Sequence, residues 1–392
     1  MRTFNILLFI AFFAFTGTLM ATTVAPQDST FVPKSLAESI ARTPLSRYLP
    51  NVALNTRMAF HSALSGDRTE ANTFRVDYLR LQVTGNITDR ISYKWMQHIN
   101  RSNQPRGLDN TPSSIDCLGV GFKITPTLST FIGKQYADFG GFEYDADPAQ
   151  VYEFSDFGDN ITCFLVGANL AWEMTPTQEL RVQVVDGRSD YASETYSSPM
   201  AEFKAAKTPL GYTLNWNGSF LKERLLTRCS FSVFHEGESE NVYFLSLGAS
   251  WTQKRFDIYV DGMYSWENID KLGILSNTLA GESFRNLADA GYLTLVSRAN
   301  YRIFPKWNLF VKGMYETASL RKENPGFADG KYRTSIGYQG GVEFYPMKEN
   351  LHFYVICHGH RREYTHLAKG YGLEQEKDLN LSIGFIYKIP IF

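Results

Sequence analysis

From Val52 onward the chain is built of segments about ten residues long in which apolar and polar side chains alternate, and nothing else in it restricts the possible folds so tightly. A period of two puts neighbouring residues on opposite faces of a strand, so each segment has one apolar and one polar face. In the first, Val52, Leu54, Met58 and Phe60 oppose Asn55, Arg57 and His61. Later, Phe164, Val166, Ala168, Leu170 and Trp172 oppose Asn169 and Glu173, and Phe256, Ile258, Val260, Tyr264 and Trp266 oppose Asp257, Tyr259, Asp261 and Ser265. Sixteen such strands are predicted, the first near 52–62 and the last near 378–392.

The connections alternate as strictly as the side chains. Short turns such as Thr125-Pro126-Thr127-Leu128, Thr175-Pro176-Thr177-Gln178 and Phe304-Pro305-Lys306-Trp307 take turns with longer polar loops. Pro pre-sets the φ that a type I turn needs. Short turns at one end, long loops at the other and an even strand number predict an all-β fold, a sixteen-stranded antiparallel transmembrane β-barrel of the outer-membrane type. Trp172, Trp251, Tyr301, Trp307, Phe344 and Tyr345 crowd the short turns, where an interfacial aromatic girdle belongs. A hydrophobic content of 44% with a mean hydropathy of −0.24 is then the average of a lipid-facing and a water-facing set. A soluble propeller or pair of sandwiches also consists of many short strands. The alternating connections and a last strand ending on Phe392 favour the barrel. A terminal aromatic resembles the signal by which the barrel-assembly machinery recognises its clients, although the row Tyr387, Ile389, Ile391 runs one residue out of phase with it.

Ahead of the strands, Met1-Arg2-Thr3 and the apolar run Phe4–Met20 read as a signal peptide over 1–21, with cleavage as late as 25. Residues 22–50 read as a periplasmic lead-in and 51–392 as the barrel, placing the chain in the outer membrane of a Gram-negative bacterium, among its lipids. A net charge of −1 gives no basis for a nucleic-acid partner. Cys117, Cys163, Cys229 and Cys357 are far apart, without the spacing of a metal site or a stapled loop, and no cofactor is expected.

Sixteen strands enclose more space than wall side chains can fill. The third loop, 138–160, carries Asp138, Glu143, Asp145, Asp147, Glu153, Asp156 and Asp159 and no Lys or Arg. It also carries Phe139, Phe142, Tyr144, Tyr152, Phe154 and Phe157, more apolar surface than a loop in water should show, which predicts that it folds inward. The wall is expected to present Arg57, Arg80, Lys94, Lys123, Arg181, Arg228, Arg298, Arg302 and Lys312, with acids Glu173, Asp257, Asp261, Glu316 and Glu343 among them. An acidic loop opposite a basic wall would set a transverse field at a constriction and filter small polar solutes or ions by charge and size, with no catalysis. The competing readings are a barrel enzyme of the lipase or acyl-transfer class and a surface binding protein. His358-Gly359-His360 puts two imidazoles on one strand face, but no Gly-x-Ser-x-Gly, His-Glu-x-x-His, phosphate-loop or Cys-x-x-Cys pattern accompanies it.

Gly133-Lys134-Gln135-Tyr136-Ala137-Asp138-Phe139-Gly140-Gly141-Phe142 enters this loop. With sixteen strands and a constricting third loop, the run resembles the phosphate-selective porin family (porins O and P). That resemblance implies passive diffusion, an arginine ladder leading anions down the lumen, loop lysines at the constriction and a homotrimer. The wall arginines named above would supply part of such a ladder. The third loop differs, being acidic and without lysine.

Overall fold

The computed structural model describes residues 49–65, 72–196, 203–279, 287–347 and 350–391. The expected signal peptide, nearly all of the lead-in and Phe392 lie outside the described residues.

Sixteen wall strands are present among them: β1 Asn51–Ser65, β2 Thr73–Asn86, β3 Ile91–His98, β4 Ile115–Lys123, β5 Leu128–Tyr136, β6 Phe164–Thr175, β7 Gln178–Asp186 and β8 Leu210–Phe220, followed by β9 Leu225–His235, β10 Asn241–Gln253, β11 Phe256–Ile269, β12 Ala288–Phe304, β13 Trp307–Leu320, β14 Gly330–Met347, β15 Leu351–Tyr364 and β16 Leu379–Pro390. A two-residue piece, Glu376–Lys377, pairs with Arg361 and Arg362 just ahead of β16. Each strand pairs antiparallel with the next, and β1 closes the sheet on β16 with Met58 opposite Phe385 and His61 opposite Ser382. Closure leaves no open edge, the condition for a sheet to cross a bilayer. All sixteen predicted strands are present, displaced by a few residues at their ends, and the short and long connections alternate as expected.

Alternation decides the faces. Along β13, Leu309, Val311 and Tyr315 are exposed outward while Asn308, Phe310, Lys312, Met314 and Glu316 are buried inward. Trp95, Leu118, Ile132, Trp172, Leu214, Leu247 and Phe353 continue the exposed apolar belt. Tyr345 leaves the expected girdle. It shares parity with Glu343, donates to it at 2.8 Å and stacks on His352 at 4.7 Å, so it faces the interior, while Phe344 packs on Trp307 at 4.7 Å.

The inward faces are not uniformly polar, as the sequence had suggested. Along β12 the inward row reads Ala290, Tyr292, Thr294, Val296, Arg298, Asn300 and Arg302, apolar toward the long loops and basic toward the short turns. At the long-loop end, Phe234, Val242, Phe244, Met263, Val296, Met314 and Leu320 form one buried cluster with Leu272, Ile274, Leu275 and Leu287 of the β11–β12 connection. Period two still governs those strands. What changes is the partner of the inward row, which is folded-in loop rather than water, and apolar residues gain from burial there.

Candidate functional site

The β5–β6 loop turns at Gly140 and Gly141, whose φ values of 76° and 103° are open to glycine and costly for other residues. Side chains at these positions would also press on Ser230, at 3.1 Å, and approach Asp261, at 3.6 Å. Two short helices follow, α1 Phe142–Asp145 and α2 Asp156–Asn160, with a 3₁₀ turn at Pro148–Gln150 between them. The wall supplies their first hydrogen-bond acceptors. Asp261 of β11 takes the N–H groups of Phe142 at 2.9 Å and Glu143 at 2.8 Å, and Glu316 of β13 takes the N–H of Asp156 at 2.6 Å. Carboxylates are favourable there because the first N–H groups of a helix have no partner within it. These two wall acids thus hold the loop by its backbone.

The loop carboxylates and the wall cations are in contact. Asp138 Oδ1 lies 3.1 Å from Arg181, Asp145 Oδ2 2.9 Å from Arg228 and Asp147 Oδ1 3.1 Å from Arg80. Glu143, only 1% exposed, is paired with Lys312 and accepts from Ser155 Oγ at 2.5 Å. Glu153 is gripped by His358 and by His360 Nδ1 at 3.1 Å, and Asp156 pairs with Arg333. Asp159 has no ion pair among the described residues and is exposed. The walls around it and the charges of Glu153, Asp156 and Glu143 nevertheless push its carboxyl up to about 6. Burial would raise Glu153 too, but the hydrogen bonds from His358 and His360 outweigh it and hold that carboxyl well below its ordinary value. A field between separated charges is therefore replaced, at six of the seven acids, by direct pairing.

Backbone contacts complete the crossing. Arg57 of β1 donates to the carbonyls of Ala149 at 3.2 Å and Val151 at 2.6 Å, and Gln339 of β14 donates to Glu153 O at 3.0 Å. On the far side, Asn215 of β8 donates to Asp138 O at 2.9 Å and Ser246 of β10 to Gly140 O at 3.1 Å. Rings pack between these bonds. Phe139 meets Phe234 and Phe244, Phe157 meets Phe244 at 5.5 Å, Phe142 stacks on Tyr259, and Tyr152 lies between Phe310 and Tyr354.

Of the nine expected wall cations, Arg57, Arg80, Arg181, Arg228 and Lys312 touch the loop through hydrogen bonds or ion pairs. Arg298 reaches it through the Tyr152 ring at 6.0 Å and pairs with Glu343 at 3.2 Å. Lys94 lies over the Tyr136 ring at 5.2 Å, Arg302 over the Tyr345 ring at 4.7 Å, and Lys123 is exposed at the short-turn end. Arg333, His358 and His360 were not counted as loop partners from sequence. For the two histidines the signal was there in the polar run His358 to Glu363, which resembles an ordinary strand end. Also unforeseen is a contact across the closing seam: Ser382 Oγ lies 2.8 Å from His61 Nδ1, and His61 Nε2 lies 2.9 Å from Asp77.

Below the loop, toward the short turns, lies a cavity of about 480 Å³ against β11–β14. Lys254, Arg255, Arg298, Arg302 and Lys312 line it against only Asp257 and Glu343, with Phe142, Tyr152, Tyr259 and Tyr345 interleaved. A second cavity of about 90 Å³, against β1, β2, β15 and β16, is lined by Arg57, His61, Asp77, His358 and Ser382. Tyr152 borders both.

Comparisons with known proteins agree with the barrel fold. The family described as phosphate-selective porin O and P matches residues 51–389. The fold is similar to the outer membrane channel DcaP of Acinetobacter baumannii, at a TM-score of 0.59 and 10% identity over 87% of this chain and 97% of that one. It is also similar to OmpT of Vibrio cholerae in its trimer form, at 0.55 and 12% over 87% and 99%, and to Salmonella typhi OmpF in complex with daunomycin, at 0.55 and 14% over 87% and 98%. No curated protein sequence matches the chain.

Proposed function

The chain belongs to the phosphate-selective porin O and P family, and from that premise we propose that it lets small polar solutes and ions, anions by preference, diffuse through an outer-membrane pore narrowed by loop 137–163. The observation that carries this reading is the loop's set of contacts to β1 on one side and β8–β10 on the other, above a cavity lined by five basic side chains, of which Lys312 is paired with Glu143 and Arg298 with Glu343. A solute passing from the long loops to the short turns would have to skirt the loop and enter a basic vestibule, where a focused positive potential raises the local anion concentration. The acids of the loop oppose this little, because the bases beside them neutralise most of them. The trimer form of OmpT supports a homotrimer here.

The test is reconstitution in planar bilayers. Stepwise conductance and an anion-selective reversal potential in a KCl gradient are expected. A barrel that inserts without steps would remove the channel reading, and cation selectivity would remove the anion preference. Excising residues 144–155 should raise the step size.

One observation favours an enzyme instead, the Ser382–His61–Asp77 contact. A serine nucleophile needs donors aimed at the developing oxyanion. Here the strand register commits the backbone around Ser382 to the β1 and β15 ladders, and Ser382 is 1% exposed. The trio therefore reads as a polar tie across the closing seam. Labelling of Ser382 by a fluorophosphonate would reverse that assignment.

A further inference from the structure

The vestibule below the loop has a lining that serves more than a charge filter. For a small oxyanion the useful wall is one of donors and cations, since aromatic faces strip water from it without returning hydrogen bonds. This wall alternates the two. The Arg302 guanidinium lies 4.7 Å over the Tyr345 ring, Arg298 lies 6.0 Å over the Tyr152 ring, and Tyr259 stacks with Phe142 at an interplanar angle of 27°. Amides of Asn300, Asn308 and Gln339 lie between them. At about 480 Å³ the space falls in the range of small-molecule sites, which run from about 300 to 1,000 Å³ and combine apolar faces with a few fixed polar groups.

We infer that this vestibule is a binding site for organic anions with a planar ring body, with the carboxylate or comparable anionic end toward Lys254 and Arg255 and the ring against Tyr259 and Tyr345. The inference rests on the channel reading and gives it a solute class. A planar anion satisfies cations and rings together, through charge-assisted bonds at one end and stacking or edge contacts at the other. Inorganic phosphate can use the cations and amides but gains nothing from the rings. Lys254 and Arg255 at its mouth make the site selective for anions, and its rings make it selective among them. Position adds a direction: Lys254 and Arg255 form the link between β10 and β11, so the site opens toward the short turns, the periplasmic side of such barrels.

The experiment titrates benzoate, cyclohexanecarboxylate and inorganic phosphate against KCl conductance of the whole barrel in a bilayer, from each face separately. Benzoate should block saturably, more effectively from the short-turn face, at a half-blocking concentration about tenfold below that of phosphate. It should also block severalfold below cyclohexanecarboxylate, which has the same charge and a non-planar ring. Tyr259→Leu should erase the benzoate advantage over cyclohexanecarboxylate, and Lys254→Glu, in the exposed link, should weaken all three. Phosphate blocking as well as benzoate, or equal block by the two carboxylates, would overturn the inference. Equilibrium dialysis of labelled benzoate against the folded, detergent-solubilised barrel separates the two readings. A barrel that gives no conductance steps but binds benzoate loses the channel reading and keeps the site. A conducting barrel that binds no benzoate keeps the channel and loses the site.

Discussion

Loop 137–163 meets the barrel along two seams of opposite character. Toward β9 and β10 it is held mainly by rings, beside the Arg228–Asp145 pair and the Ser246 bond to Gly140 O: Phe139 and Phe157, 2% and 3% exposed, pack on Phe234 and Phe244 inside a cluster that also takes in the β11–β12 connection. Toward β1, β2, β14 and β15 it is held by charges and hydrogen bonds, from Arg57 and Arg80 through Gln339 to Arg333, His358 and His360. An apolar seam is insensitive to salt and pH and costs most when a cavity opens in it. A polar seam is adjustable, because each contact depends on a protonation state or on ionic strength. The difference teaches that the first seam anchors the loop and that any change in pore width originates at the second.

The largest effect should come from Lys312→Met, which strands the buried carboxylate of Glu143 between the seams. Leaving a buried charge without its partner costs about 3 to 5 kcal/mol. The loop should detach, seen as a larger and noisier conductance, and Glu143→Gln added to Lys312→Met should recover most of the loss. No recovery in the double variant would show that Lys312 acts through Glu153 O instead. Phe157→Ala should cost about 3 kcal/mol of loop docking through lost burial and a residual cavity. Its effect on protease sensitivity of the loop should be the same at low and high salt. A strong salt dependence would erase the distinction between the seams.

A smaller effect, confined to the polar seam, is expected from pH. The Glu153 carboxyl is depressed, so its contribution is fully present above its ordinary value of 4.5 and fades as pH falls further. Asp159 is raised to about 6, so its charge opposes docking above that pH and the penalty is relieved as pH falls through it. Loop docking should be tightest between these limits, at about pH 5. Asp159→Asn should abolish the loosening above pH 6 and leave the acid limb, readable as open-channel noise against pH. The smallest effect belongs to Arg228→Gln. Its pair with Asp145 is partly exposed, 24% and 45%, and such contacts are worth about 1 kcal/mol or less, so unitary conductance should change little.

Much of the barrel was legible because a strand facing two solvents writes both into its sequence. β11 shows this well: Asp257 and Asp261 faced inward as read, and Val260 and Tyr264 outward. The aromatic load of the third loop announced a buried loop in the same way. The partners were not legible. Glu153 lies 205 residues from His358, and Tyr152 lies 191 residues from Glu343. The sequence offers no register between such positions until the barrel closes. The apolar inward rows of β10, β12 and β13 were obscured too, since burial against a loop and burial against lipid favour the same residue types.

By itself the sequence determined strand number, facing and the alternation of turns and loops, all local consequences of a period-two pattern and of turn chemistry. Only the tertiary structure decided that the loop's acids would be neutralised rather than left facing a gap, and that five basic side chains would collect among rings beneath them. The physical reason is distance. Charge and stacking act over a few ångströms, and which side chains come that close is decided by closing β1 on β16 and by the backbone turn at Gly140 and Gly141.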